Sequence, residues 1–158
     1  MTDIYVSPGQ MFEDSFALAK KLYDDNVIPD IILTIWRGGA IPGLCIGEYY
    51  KSKGIETKDI VIKACSYSDD HQKNKCKLMF YDNLREINKT DRVLIVDDIF
   101  DTGETFCKVI EAVYQYTTHV KTSAVWYKPD KRNVIHKPDY FIHKVSGDPW
   151  VTFPHETT

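Results

Sequence analysis

The amino-acid sequence predicts an α/β fold built on an open, mainly parallel sheet flanked by helices. Two observations predict it. Short apolar runs of strand length alternate along the chain with stretches of helical periodicity. The clearest of these runs, residues 92–97, leads into acids and hydroxyls that open a helix, as ligand sites at the ends of parallel strands do.

The elements follow in order. In residues 11–23, apolar side chains at Phe12, Phe16, Ala19 and Tyr23, with Met11, Leu18 and Leu22 beside them, predict an amphipathic helix. Residues 30–36, DIILTIW, read as a buried strand. The turn Arg37-Gly38-Gly39 breaks it, and residues 40–51 read as a helix, with Pro42 acceptable in the first turn and Gly54 as the stop. Residues 60–65 form the next strand. Residues 66–91 are mostly polar and read as a long mobile excursion holding a weak hairpin around Leu78-Met79-Phe80-Tyr81. After strand 92–97, residues 103–116 carry Phe106, Val109, Ile110, Val113 and Tyr114 at helical spacing. Residues 119–127 and 140–145 read as strands, and 149–156 as a short tail.

Composition narrows the function. The chain has 158 residues, 43% of them hydrophobic and 27% charged, which is one domain's worth of core-forming sequence. A net charge of −3 argues against nucleic acid as the main partner. No apolar run approaches the roughly 18 residues of a membrane span, and the N-terminus does not read as a signal peptide. Cys45, Cys65, Cys76 and Cys107 have neither zinc nor disulfide spacing and read as free thiols, which places the protein in the reducing cytoplasm. The five histidines have no metal spacing, and none is assigned a role.

The chemistry concentrates in VLIVDDIFDTGET, residues 93–105. The turn Asp101-Thr102-Gly103-Glu104-Thr105 opens a helix, where free N–H groups and a partial positive charge make an anion cradle. Thr102 and Thr105 add hydroxyls, and Gly103 lets the backbone approach a phosphate closely. Asp97 and Asp98 would repel a lone phosphate, but they suit a ligand that carries a ribose diol beside it. They would accept the diol's hydrogen bonds and help hold a hard cation. Together these features describe a ribose 5-phosphate site. An ordinary strand end with an N-cap at Asp101 or Thr102 explains single residues but not the ordered string. A phospho-acceptor receiver domain would end its first strand in acids, where this chain has Trp36-Arg37, and a Walker phosphate loop is absent.

At this string the sequence resembles the type I phosphoribosyltransferases, whose signature is an apolar strand, two acids, two apolar residues and D-T-G-x-T. Further features resemble the 6-oxopurine branch over roughly residues 28–156. The resemblance implies a single phosphoribosyltransferase domain over 1–158, with residues 66–91 as a mobile lid. Residues from about 128 to 158, with the N-terminal segment, would form a small hood over the base. It implies purine salvage: a 6-oxopurine (hypoxanthine, guanine or xanthine) and phosphoribosyl pyrophosphate become the nucleoside 5′-monophosphate and pyrophosphate, with Mg2+ as cofactor, in a homodimer or homotetramer. Arg37, Gly38 and Gly39 match the pyrophosphate loop, where the family's peptide can be cis without proline. Ser66 and Tyr67 match the start of the catalytic lid. Lys128 matches the donor to the purine 6-oxo group, Trp150 the aromatic that stacks on the purine, and Val151 the backbone contact to its edge. Asp101 would lie near purine N7 and assist proton movement.

Two positions depart from the pattern. Glu156 stands where relatives usually have an aspartate touching metal, and is carried over as a candidate metal contact. Glu104 is acidic within the phosphate turn and is expected to point outward. Residues 68–91 match nothing further. Two alternatives stay open: a non-catalytic sensor of nucleotides or phosphoribosyl pyrophosphate on the same fold, and a phosphoribosyltransferase for adenine or a pyrimidine. Taken alone, Lys128 reads as a surface lysine and Trp150 as a core or lid aromatic.

Overall fold

The structure is a computed structural model that describes residues 2–69, 72–79 and 81–156, with side chains outside the description at 65–69, 72–77 and 81. Strands β2 (Ile31–Trp36), β3 (Lys58–Asp69), β4 (Gln72–Met79), β5 (Val93–Phe100), β6 (Val120–Tyr127) and β7 (Tyr140–Lys144) form one sheet, in the order β4-β3-β2-β5-β6-β7. All neighbours are parallel except β4, which runs antiparallel to β3. Helices α1 (Pro8–Asp24) and α2 (Ala40–Ser52) share a core with one face of the sheet, and α3 (Glu104–Tyr114) packs against the other.

The central strands are apolar on both faces because both are covered. Ile31, Leu33 and Ile35 of β2 join Val93 and Ile95 of β5 in the core under α3, with Phe106, Val109, Ile110 and Val113. Ile32, Leu94 and Val96 point the other way, into a core with Met11, Leu18, Ala19 and Leu22 of α1 and Ile46 and Tyr50 of α2. Helix α2 lies so close to the sheet that a Cβ on Gly43 would stand 2.3 Å from the Thr34 hydroxyl oxygen.

The elements begin and end where local chemistry directs. Helix α1 starts earlier than its apolar periodicity suggests, because Ser7 Oγ caps the Gln10 N–H at 3.1 Å and Pro8 takes the first turn. Gly54, at φ +75°, ends α2 as expected. Two short strands at opposite ends of the chain, β1 (Ile4–Tyr5) and β8 (Val151–Thr152), pair in parallel and bring both termini together. Cys45 is buried and Cys107 half-buried, both as free thiols, and burial pushes the Cys45 thiol up to about 11.

The hairpin expected within residues 66–91 is present and is more extended than the polar sequence suggests. The backbone of β3 continues through Ser66 and Tyr67 to Asp69, and β4 returns beside it, with Ser66 opposite Cys76 and Tyr67 opposite Lys75. A 3-10 turn follows at Tyr81–Glu86. The antiparallel ladder supplies the backbone partners that a polar sequence without apolar alternation does not advertise.

Candidate active site

Strand order reverses between β2 and β5. From β2 the chain crosses by way of α2 to β3 on one side, and from β5 by way of α3 to β6 on the other. The crevice at such a switch point, beyond the carboxyl ends of the strands, is where open α/β sheets bind ligands. The two strand ends that meet there carry Trp36-Arg37-Gly38-Gly39 and Asp97-Asp98.

A cleft of about 340 Å³ lies between them, lined by Trp36, Arg37, Gly38, Asp97, Asp98 and Thr105, and by His155 and Glu156 from the tail. The structure thus unites Arg37 and Gly38 of the expected pyrophosphate loop, the acid pair, Thr105 of the expected phosphate turn and the tail residue Glu156. The Trp36–Arg37 peptide is cis. Gly38 must be glycine, since a Cβ there would fall 2.4 Å from the Asp98 carboxyl carbon. Gly39 is as restricted, with the Val96 carbonyl oxygen 2.4 Å from where its Cβ would stand.

Asp97 and Asp98 are both buried. The Asp98 N–H donates to Asp97 Oδ1 at 2.9 Å. Burial, and then the charge of Asp98 beside it, hold the Asp97 carboxyl well above the usual carboxylate range. On its other side Asp98 Oδ2 lies 3.1 Å from His155 Nε2. Hydrogen bonding to Asp98 raises the His155 pKa against the opposing effect of burial. A hard cation suits this donor set, because magnesium typically takes one or two carboxylates, substrate phosphates and waters, not a closed protein cage. A cation would also relieve the like-charge burial that disfavours two ionised carboxylates. Among the described residues no cluster of three or more His, Cys, Asp or Glu forms a cage of its own.

The turn after β5 is shaped by Gly103, whose φ of +88° disfavours any side chain. A Cβ there would meet Val134 Cγ2 at 2.4 Å and the Phe100 ring at 2.6 Å. Helix α3 begins at the next residue, so its first-turn N–H groups surround the turn. Thr102 Oγ1 faces the Glu104 N–H at 3.4 Å. The Glu104 side chain is exposed and accepts from Asn133 Nδ2 at 3.0 Å, leaving its backbone to the turn.

A second cluster lies on the β6 side. Lys128, expected in isolation to be solvated, is only 2% exposed. Its Nζ stands 3.3 Å from Asp148 Oδ1 and 3.6 Å from Asp101 Oδ2. Lys131 Nζ holds the other oxygen of Asp148 at 2.7 Å, and mainly for that reason the Asp148 carboxyl titrates below its usual range. Asp101 Oδ1 is buried and has no hydrogen-bond partner among the described residues. Trp150 is 62% exposed, two residues beyond Asp148, while Val151 is buried in β8. Glu156 borders the cleft, but its Oε2 accepts the Phe153 N–H at 2.9 Å and its own N–H donates to the Phe153 carbonyl, which closes the tail turn. Ser66 and Tyr67 are placed by backbone alone, on β3 beyond Ala64, a residue of the cleft wall.

Sequence reasoning missed Asp148, Lys131 and His155. The first lies in the Asp148-Pro149-Trp150 string that had drawn attention only for its tryptophan. No local pattern marks His155, since its partner is 57 positions earlier on another element.

A buried acid pair thus lies at the switch point of an α/β sheet, with a glycine-built loop on one side and a turn that opens a helix on the other. Residues 2–158 match the phosphoribosyl transferase domain family, and the chain belongs to that family. Among characterised proteins it is similar to the xanthine-guanine phosphoribosyltransferase of Desulfotalea psychrophila, 31% identical over 96% of this chain and 85% of that protein. The enzyme of the same name from Cereibacter sphaeroides is 28% identical, over 95% and 84%. Among solved structures, the purine phosphoribosyltransferase from Pyrococcus horikoshii Ot3 superposes with a TM-score of 0.80 at 29% identity, covering 100% of this chain and 96% of that one.

Proposed function

We propose that the protein is a purine-salvage phosphoribosyltransferase that joins a 6-oxopurine to phosphoribosyl pyrophosphate. One observation carries the choice of base: buried Lys128 Nζ lies 3.6 Å from Asp101, whose Oδ1 has no partner among the described residues. A positive donor and a free acceptor therefore stand side by side. A 6-oxopurine protonated at N7 presents the complementary pair on one edge, with the 6-oxo oxygen accepting and the N7 proton donating. Adenine would set an amino group against the ammonium, and a pyrimidine has no N7. The names of the similar proteins, xanthine-guanine and purine phosphoribosyltransferases, support the same reading.

In this reading the 5-phosphate rests on residues 101–105, using the N–H groups that open α3 and the hydroxyls of Thr102 and Thr105. The ribose diol binds Asp97 and Asp98, and the pyrophosphate lies against Arg37, Gly38 and Gly39. Trp150, exposed at the rim, stacks on the purine, and Val151 offers backbone to its edge. The bond from C1 to the pyrophosphate oxygen breaks, and its electron pair leaves with the pyrophosphate. The N9 lone pair forms the new bond to C1, and Asp101 Oδ1 takes the N7 proton. Magnesium held by Asp97 and Asp98 would neutralise charge on the pyrophosphate side. Glu156 would act there by holding the tail turn in place. The strand pair β3–β4, which includes Ser66 and Tyr67, is taken as the lid that excludes water from the cationic transition state. A homo-oligomer belongs to the same reading, and the exposed Trp36, Leu44 and Val61 around one groove support it.

The test is product analysis by mass spectrometry, with phosphoribosyl pyrophosphate, magnesium and hypoxanthine, guanine or xanthine supplied separately. Formation of the matching nucleoside 5′-monophosphate is expected with at least one base. No monophosphate from any of the three contradicts the proposal.

A further inference from the structure

We propose that His155 is a positioning residue that fixes the orientation of Asp98 for phosphoribosyl pyrophosphate, so that the C-terminal tail completes the pyrophosphate side of the site. The inference rests on the functional reading above and assigns a role to a residue which that reading leaves unused.

Asp98 is held from two sides. Its carboxylate fills the space a side chain on Gly38 would need, so the pyrophosphate loop confines it on one flank. On the other, His155 Nε2 stands 3.1 Å from Oδ2. That is the ring's one polar contact among the described residues, since Nδ1 is buried without a partner. Among the described residues the imidazole's close polar contact is therefore Asp98, with Glu156 and Arg37 acting on it only through their charge.

The ring is itself anchored. It stacks on Phe153, with planes 9° apart and centroids 5.6 Å apart. Phe153 is buried in the α1–α2 core, and the reciprocal bonds between Phe153 and Glu156 close the turn that carries His155. Just before it, β8 is paired to β1. A chain of rigid contacts thus runs from the core to one carboxylate oxygen. Two adjacent buried carboxylates repel each other and would otherwise turn apart or take up a proton. His155 Nε2 at 3.1 Å from Oδ2 would restrain the carboxylate from either change.

The test is calorimetric titration of the intact chain with phosphoribosyl pyrophosphate and magnesium, together with KM values for both substrates. His155→Gln places an amide N–H near the position of Nε2. His155→Phe keeps the stacking and removes the donor, and His155→Asn keeps an amide that falls short of Asp98. The Phe and Asn variants are expected to bind phosphoribosyl pyrophosphate roughly tenfold more weakly, with the KM for the base unchanged and Tm near wild type. His155→Gln is expected to stay within about threefold of wild type. If one disruptive variant fails to fold, the other carries the test. Binding within about twofold of wild type in the Phe and Asn variants, or an equal loss in His155→Gln, overturns the inference alone. A wild-type protein that does not bind phosphoribosyl pyrophosphate overturns the functional reading, and this inference with it.

Discussion

In the proposed reading Asp101 and Lys128, 3.6 Å apart, carry base chemistry and base choice, and the two should fail differently when altered. Asp101→Ala would remove the proposed N7 proton acceptor while leaving the backbone of the turn in place. It is expected to lower kcat by about 10²–10⁴-fold with little change in the KM for phosphoribosyl pyrophosphate. Steady-state kinetics that show near-normal turnover would remove Asp101 from the mechanism. Lys128→Gln removes the charge but keeps a donor. It should raise the KM for the 6-oxopurine roughly tenfold and leave phosphoribosyl pyrophosphate binding unaltered, as read by titration of each ligand. The sequence announced Asp97, Asp98 and Asp101, because acids crowded at the end of an apolar strand demand an explanation. It did not announce that Lys128 is buried, since burial depends on Asp101 and Asp148 arriving from other segments.

At the scale of elements, strand ends and helix starts were legible wherever a local signal existed. Gly54 stopped α2, and the apolar run of β5 stood out because both of its faces are covered. The long β3–β4 ribbon was not legible beyond a weak hairpin, because its ladder replaces apolar alternation as the source of order. Gly103→Ala meets both a positive φ and the Phe100 and Val134 side chains, so it should destabilise by about 1–3 kcal/mol, seen as a lower Tm in thermal unfolding. A stability loss below a few tenths of a kcal/mol would show that the turn relaxes freely.

Asp30 and Arg92 join the starts of β2 and β5. Arg92 donates Nε and Nη2 to the Asp30 carboxylate at 2.9 Å each, and its N–H donates at 2.8 Å. These bonds hold the Asp30 carboxyl at about 2, below its ordinary 3.8. A depressed folded-state pKa gives stability that is present above 3.8 and lost as pH falls toward 2. The pair is part-exposed, so the effect is about 1 kcal/mol or less and weakens with salt. Wild type should therefore lose Tm more steeply than Asp30→Asn over that acid range. Parallel slopes would show that the pair contributes nothing to stability.

For the whole molecule, the reversal of strand order between β2 and β5 brings the Arg37-Gly38-Gly39 loop and the acid pair to one crevice. The alternation of strands and helices was enough to foresee such a crevice. A hood from the two chain ends was implied by the resemblance, but the pairing that joins them was not readable, because β1 and β8 are two residues each and pair across nearly the full length of the chain. That pairing carries Trp150, Val151 and His155 toward residues drawn from the middle of the sequence. The central claim is that these parts form a site selective for the 6-oxo edge of a purine. The measurement that tests it most directly is the ratio of kcat/KM for hypoxanthine to that for adenine, read as pyrophosphate release at saturating phosphoribosyl pyrophosphate. The account predicts a preference for hypoxanthine of about 10³-fold or more, because adenine sets an amino group, in place of a 6-oxo acceptor, against the buried Lys128 ammonium. Comparable values for the two bases would contradict it.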